Sequence, residues 1–272
     1  MKTTGRLDIR DVQIAYTDEG EGPVVINAHG LAQSRNSAQT FGMIEPGGLV
    51  DAGYRVISYD ARGHGDSTGT AEPRTYQWDE LAKDLLAIAD HFSPEEPVRA
   101  MGISMGTGTI FSAAMLAPER FAAIVLGAPP TAWETRADQG ALYERLARMV
   151  EQMTGDEFLA LLAKSPIAPI FAETANYPGR PTPSLSLLPS VFRGAGRSDL
   201  PARAELLGLA VPALILAWTT DAGHPVSTAQ SLRDALSAGS LHTSNTTSDI
   251  ETWASRAAAF ISDLCKSGDP GH

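Results

Sequence analysis

Short apolar runs alternate with amphipathic stretches along most of this chain, and that alternation limits the folds open to it. Val24-Val25-Ile26-Asn27-Ala28 is one such run, and 54–59, 97–103, 121–126 and 211–217 are similarly short and apolar-rich. Runs without regular polar alternation belong to strands covered on both faces. Between them, 78–92 carries apolar residues at 78, 81, 82, 85, 86, 88 and 89, the stripe of a helix lying on a sheet. The chain therefore reads as α/β, with a mostly parallel, doubly wound sheet. The segment 7–16 is expected to be a first strand with a turn at 20–22. A helix over 227–236, a strand over 240–244 and a helix over 249–264 are expected to close the fold.

The alternation stops between Pro129 and about Gly208. That stretch offers helical patterns at 140–153 and 156–163, then a Pro- and Ser-rich segment, 165–190. Structureless loops longer than ~12–15 residues are uncommon, so the excursion reads as an inserted helical cap. The expected division is a core of 1–130 and 209–266, a cap of 131–208 and a tail of 267–272.

With 272 residues, 43% hydrophobic and 19% charged, the chain can bury one large core. A net charge of −11 argues against nucleic acid and against an anionic membrane surface as partners. Cys265 is the single cysteine, so no internal disulfide can form, and a surface or packing role is expected for it. No apolar stretch approaches the ~18 residues of a membrane span, and a cytoplasmic address is the simplest expectation. The six histidines are scattered without metal-ligand spacing. No phosphate-cradling loop stands out, because the glycines of 102–108 belong to the turn described next. No metal and no cofactor is expected.

Gly102-Ile103-Ser104-Met105-Gly106 falls between the run 97–101 and the helix-like 107–117. A serine flanked by glycines in a strand–turn–helix setting is the pattern of a nucleophile elbow. The hydroxyl must stand clear of the sheet on a turn too tight for Cβ atoms at 102 and 106. Other chemistry-bearing residues follow strand-like runs in the same way: His29-Gly30-Leu31, Asp60-Ala61-Arg62-Gly63-His64-Gly65-Asp66-Ser67, and Asp221 with His224-Pro225. In an open parallel sheet, strand ends of this kind converge on the ligand site. In these elements, from about Leu7 to Leu264, the chain resembles the α/β-hydrolase superfamily, in its proline-iminopeptidase, haloperoxidase and esterase-like branch.

The resemblance implies that Ser104 is the nucleophile and that Asp221 orients a histidine. It also implies that the backbone N–H groups of Leu31 and Met105 form the oxyanion hole. His29 is expected to hold its loop, Asp60 and Asp66 to structure theirs with Arg62 paired to one of them, and His64 to border the pocket. The family's base follows the last strand, where this chain reads Leu241-His242-Thr243-Ser244-Asn245-Thr246-Thr247. His242 is the histidine nearest that place, and it reaches Ser104 only if the strand ends about two residues early. His224, three residues after Asp221, is the second choice. A small or medium apolar ester, lactone or thioester is the implied substrate. Trp133, Leu142, Met149, Met153, Phe158, Leu161, Leu162, Ile170 and Phe171 are expected to face it. Without a base in reach, two other readings stay open: a lyase- or cyclase-like enzyme on the same scaffold, or an inert ligand-binding relative.

Overall fold

The described residues of the computed structural model are 1–37, 47–172, 174, 177 and 179–267, with side chains to residue 264. In chain order the elements are β1 (Lys2–Ile9), β2 (Val12–Glu19), β3 (Val24–Ala28), α1 (Gly47–Asp51), β4 (Arg55–Tyr59) and α2 (Trp78–Phe92). There follow β5 (Val98–Ile103), α3 (Met105–Leu116), β6 (Phe121–Gly127), α4 (Arg136–Gln152), α5 (Gly155–Leu162), α6 (Leu188–Gly196) and α7 (Arg203–Leu206). The last elements are β7 (Ala213–Trp218), α8 (Val226–Ala235), β8 (Gly239–Ser244), α9 (Thr247–Glu251) and α10 (Trp253–Ser267).

The strands form an eight-stranded sheet in the order β1-β2-β4-β3-β5-β6-β7-β8. Pairing is parallel from β4 to β8, while β2 runs antiparallel to both β1 and β4. Strand alternation sorts the core into two layers. Ile26, Ile215 and Ala217 face a layer built on Trp78, Leu85, Phe111 and Leu232. Their neighbours Val25, Leu214, Leu216 and Trp218 face the other, built on Leu49, Trp253 and Ile261. Each fully buried side chain of this size stabilises the fold by roughly 1.5–3 kcal/mol.

The segment expected as one strand over 7–16 is instead a hairpin, β1 to β2, turning at Arg10-Asp11. Arg10 takes a left-handed backbone there, φ 54°, without glycine or asparagine to announce it. The helices expected near 140–153 and 156–163 are α4 and α5, and a third, α6, rises from the edge of the Pro- and Ser-rich stretch. All three lie between β6 and β7. The proposed tail lies outside the described residues beyond Ser267, and so does the side chain of Cys265.

Candidate active site

β3 and β5 are neighbours, and the chain leaves them toward β4 on one side and β6 on the other. A crevice forms at the carboxyl ends of the strands where connections diverge in this way. The turn after β5 puts Ser104 at that crevice with φ 55° and ψ −106°. Such a backbone costs about 1–3 kcal/mol in a non-glycine residue, so its surroundings must hold it. Ser104 N–H donates to the Gly127 carbonyl (3.0 Å), and the Ser104 carbonyl accepts from Gly108 N–H (3.1 Å). The Thr107 hydroxyl donates to the same Gly127 carbonyl at 2.7 Å. A Cβ on Gly106 would stand 2.2 Å from the Ala28 carbonyl oxygen, and one on Gly102 would stand 2.8 Å from the Gly106 carbonyl carbon. Both glycines are therefore required where helix and strands meet. Met105 is the first residue of α3, so its N–H has no acceptor within the helix.

The imidazole beside this hydroxyl is His224. Its Nε2 lies 2.8 Å from Ser104 Oγ, and its Nδ1 lies 2.8 Å from Asp221 Oδ2. A carboxylate accepts only, so Nδ1 carries the proton and Nε2 is left to accept from the serine hydroxyl. Asp221 and His224 share the loop after β7. His224 N–H bonds back to the Asp221 carbonyl (3.2 Å), closing a turn in which Gly223 N–H reaches Asp221 Oδ1 at 2.9 Å. The Trp218 indole donates to Asp221 Oδ2, also at 2.9 Å. Burial pushes the Asp221 carboxyl up, but the bonds from His224, Trp218 and Gly223 outweigh it and hold the group at about 2. Pro225 then ends the turn and α8 begins at Val226.

His242 does not meet Ser104. It sits on β8 with Nε2 3.1 Å from both carboxylate oxygens of Asp249. The strand runs on to Ser244, so His242 lies inside it and not on the loop beyond. The end of β8 is occupied by Trp253, fully buried, whose indole donates to Ser244 Oγ at 2.8 Å and stacks on Trp218 at 5.2 Å between centroids. Ser104 and Asp221 thus come together as expected, with His224 completing the set in place of His242. A signal was present in the sequence: a histidine three residues after the acid, just before a proline.

The loop after β3 runs along the same crevice. His29 donates from Nδ1 to the Gly30 carbonyl (2.7 Å) and accepts Ala61 N–H at Nε2 (2.9 Å), the loop-holding role expected of it. Burial lowers its pKa to about 4, so it is neutral at pH 7. His64, expected at the pocket, is instead wholly buried, bonded through Nδ1 to the Arg62 carbonyl at 2.9 Å. Asp60 and Asp66 pair with Arg35, while Arg62, expected to pair with one of them, instead makes two 2.7 Å bonds to Asp84. From the insertion, Thr182 N–H donates to the Ala32 carbonyl (2.9 Å) and its hydroxyl to the Gln33 carbonyl. Ala32 holds φ 59° within this clamp.

A cavity of about 250 Å³ lies over Ser104 and His224, bounded by Gly30, Leu31, Gln33, Tyr143, Leu146, Leu162, Tyr177, Phe192 and Trp218. Of the side chains expected to face it, Leu162 does. Phe158 and Phe171 are buried in separate apolar clusters, and Leu142 and Leu161 are exposed. Tyr143 and Leu146, one helical turn apart on α4, and Phe192 on α6 were not anticipated. Among the described residues, no group of three His, Cys, Asp or Glu is placed to hold a metal ion. None of their helices is long and apolar enough to cross a membrane.

The sequence signature of the alpha/beta hydrolase fold family matches residues 23–222. The chain belongs to that family. A putative non-heme chloroperoxidase of Synechocystis sp. is 32% identical over 108 residues, 40% of this chain and 37% of that protein. An epoxide hydrolase of Caballeronia sordidicola is 27% identical over 113 residues, 42% of this chain and 33% of that one. The matched region is thus about a third of the length of these curated relatives. In three dimensions the chain is similar to a hydrolase from Pseudomonas aeruginosa PA01, with a TM-score of 0.77 at 20% identity over 96% of this chain and 98% of that one.

Proposed function

We propose that this alpha/beta hydrolase is a serine hydrolase that cleaves an ester, lactone or thioester with a small apolar group at the reacting carbonyl. Ser104, His224 and Asp221 form its catalytic triad. The observation that carries this reading is the unbroken chain of contacts from Ser104 Oγ through His224 to Asp221, each link 2.8 Å. Both links lie within the reach that proton transfer and ring orientation need.

His224 Nε2 takes the Ser104 proton as Oγ bonds to the carbonyl carbon, and negative charge collects on the carbonyl oxygen. The N–H groups of Leu31 and Met105 receive that charge, a contribution of a few kcal/mol per donor in comparable sites. The imidazolium, steadied by Asp221, returns the proton to the departing alcohol or thiol as the C–O or C–S bond breaks. Water then repeats the sequence: it gives a proton to His224, attacks the acyl carbon and releases the acid and free Ser104. Residues 131–208 act as a cap, their apolar side chains keeping bulk water from the acyl group.

Chemistry also separates this reading from the epoxide opening named for one relative. A serine attacking an epoxide carbon would form an alkyl ether, which no second attack at a carbonyl could release. An acyl ester on Ser104 retains a carbonyl and turns over. The test is mass spectrometry after exposure to a fluorophosphonate, beside turnover of p-nitrophenyl butyrate. One adduct on Ser104, absent in Ser104→Ala along with the turnover, is expected. Turnover that survives Ser104→Ala overturns the reading.

A further inference from the structure

The cavity over Ser104, at about 250 Å³, is smaller than the ~300–1,000 Å³ that encloses most small ligands. Leu162, Tyr177, Gly179 and Pro181 also form a wall of a second, wider groove of about 710 Å³. Among the described residues, the groove is completed by Leu159, Ala163, Ser165, Ile167 and Arg180, so these walls are mostly apolar and their one charge is positive.

Arg35, Arg193 and Arg203 each meet carboxylates, whereas Arg180 meets none among the described residues. In a chain of net charge −11, a guanidinium with no carboxylate partner among the described residues, lining a groove that shares four residues with the cavity over Ser104, is a local reversal of sign. A guanidinium's fixed fork of donors fits a carboxylate in two-point contact. We infer that the substrate has two limbs: a small apolar one over Ser104, and a longer one along the outer groove that ends in a carboxylate paired with Arg180. This rests on the serine-hydrolase reading and adds the chemical class of its substrate.

The experiment compares esters with the terminal carboxylate on the acyl limb and esters with it on the alcohol limb. Each is set against a counterpart of equal length whose carboxylate is masked as a methyl ester. In one of the two series, the free carboxylate should raise kcat/KM by about fivefold at low salt, the size of a strong exposed ion pair. Arg180→Gln should abolish that advantage, so that each free acid and its masked counterpart are turned over with the same kcat/KM. Added 0.5 M NaCl should erode it in the wild type. No preference in either series, or a preference that outlasts Arg180→Gln, overturns the inference while turnover of the masked esters leaves the hydrolase reading intact. If the wild type hydrolyses none of these esters, the hydrolase reading fails and this inference with it.

Discussion

Two histidine–carboxylate pairs stand at neighbouring strands of the same sheet, and only one faces the serine. After β7, Asp221 and His224 lie three residues apart in a turn that bends both toward Ser104. At β8, His242 and Asp249 pair with similar chemistry but along the flank of a strand. The first pair is half-buried, its side chains 20% and 14% exposed, and it is braced by the Trp218 indole and Gly223 N–H. The second is more open, and Arg256 also reaches its carboxylate. The difference teaches that a pair's reach to the serine lies in which strand end it is anchored to, not in the pair itself. A tight turn lets one loop present both a carboxylate and an imidazole to the same hydroxyl.

The sharpest way to break this contrast is to remove each imidazole in turn. His224→Ala should lower kcat toward p-nitrophenyl esters by about 10⁶-fold, as loss of the base does in comparable triads. Asp221→Asn should cost about 10⁴-fold by releasing the tautomer and ring orientation of His224. The same substitution has a pH signature. The folded carboxyl near 2 lies below its unfolded value of 3.8, so its stabilisation is complete above about pH 5 and is lost as pH falls through about 2. The wild-type advantage in urea unfolding over Asp221→Asn should be about 2 kcal/mol at pH 6 and shrink through that window.

A smaller effect is expected where the insertion grips the loop after β3. Thr182→Val removes the hydroxyl bonds to the Gln33 carbonyl and from Gly65 N–H. It should lower kcat by about tenfold with KM nearly unchanged, and Thr182→Ser should restore it, since donor placement affects the transition state more than binding. The smallest is His242→Ala, expected to leave turnover within about twofold of wild type, because its Asp249 contact is a partly exposed ion pair.

Much of the fold was legible because buried strands and amphipathic helices leave direct traces. Val24–Ala28 and Trp78–Phe92 have the bounds that their apolar patterns suggest. The hairpin at Arg10-Asp11 was hidden because a left-handed arginine gives no compositional sign of a turn. α6 was hidden because Pro189, Gly194 and Gly196 mask a helix whose reason to form is burial of Leu188, Val191 and Phe192. The elbow was legible for a steric reason that only glycine satisfies at 102 and 106. Which histidine meets Ser104 was not, because it depends on the direction of a short turn. Asp221 and His224 are separated by Ala222 and Gly223, and only the folded loop, with Thr220 at φ 65° before it, aims both side chains inward.

The central claim is that the base comes from the β7 loop. Its most direct test is the pre-steady-state release of p-nitrophenol by His224→Ala and His242→Ala, mixed rapidly with a p-nitrophenyl ester. Expected is a burst from His242→Ala close to one equivalent per Ser104, at the wild-type rate, and none from His224→Ala. A full burst from His224→Ala, or its loss in His242→Ala with the fold intact, would contradict it.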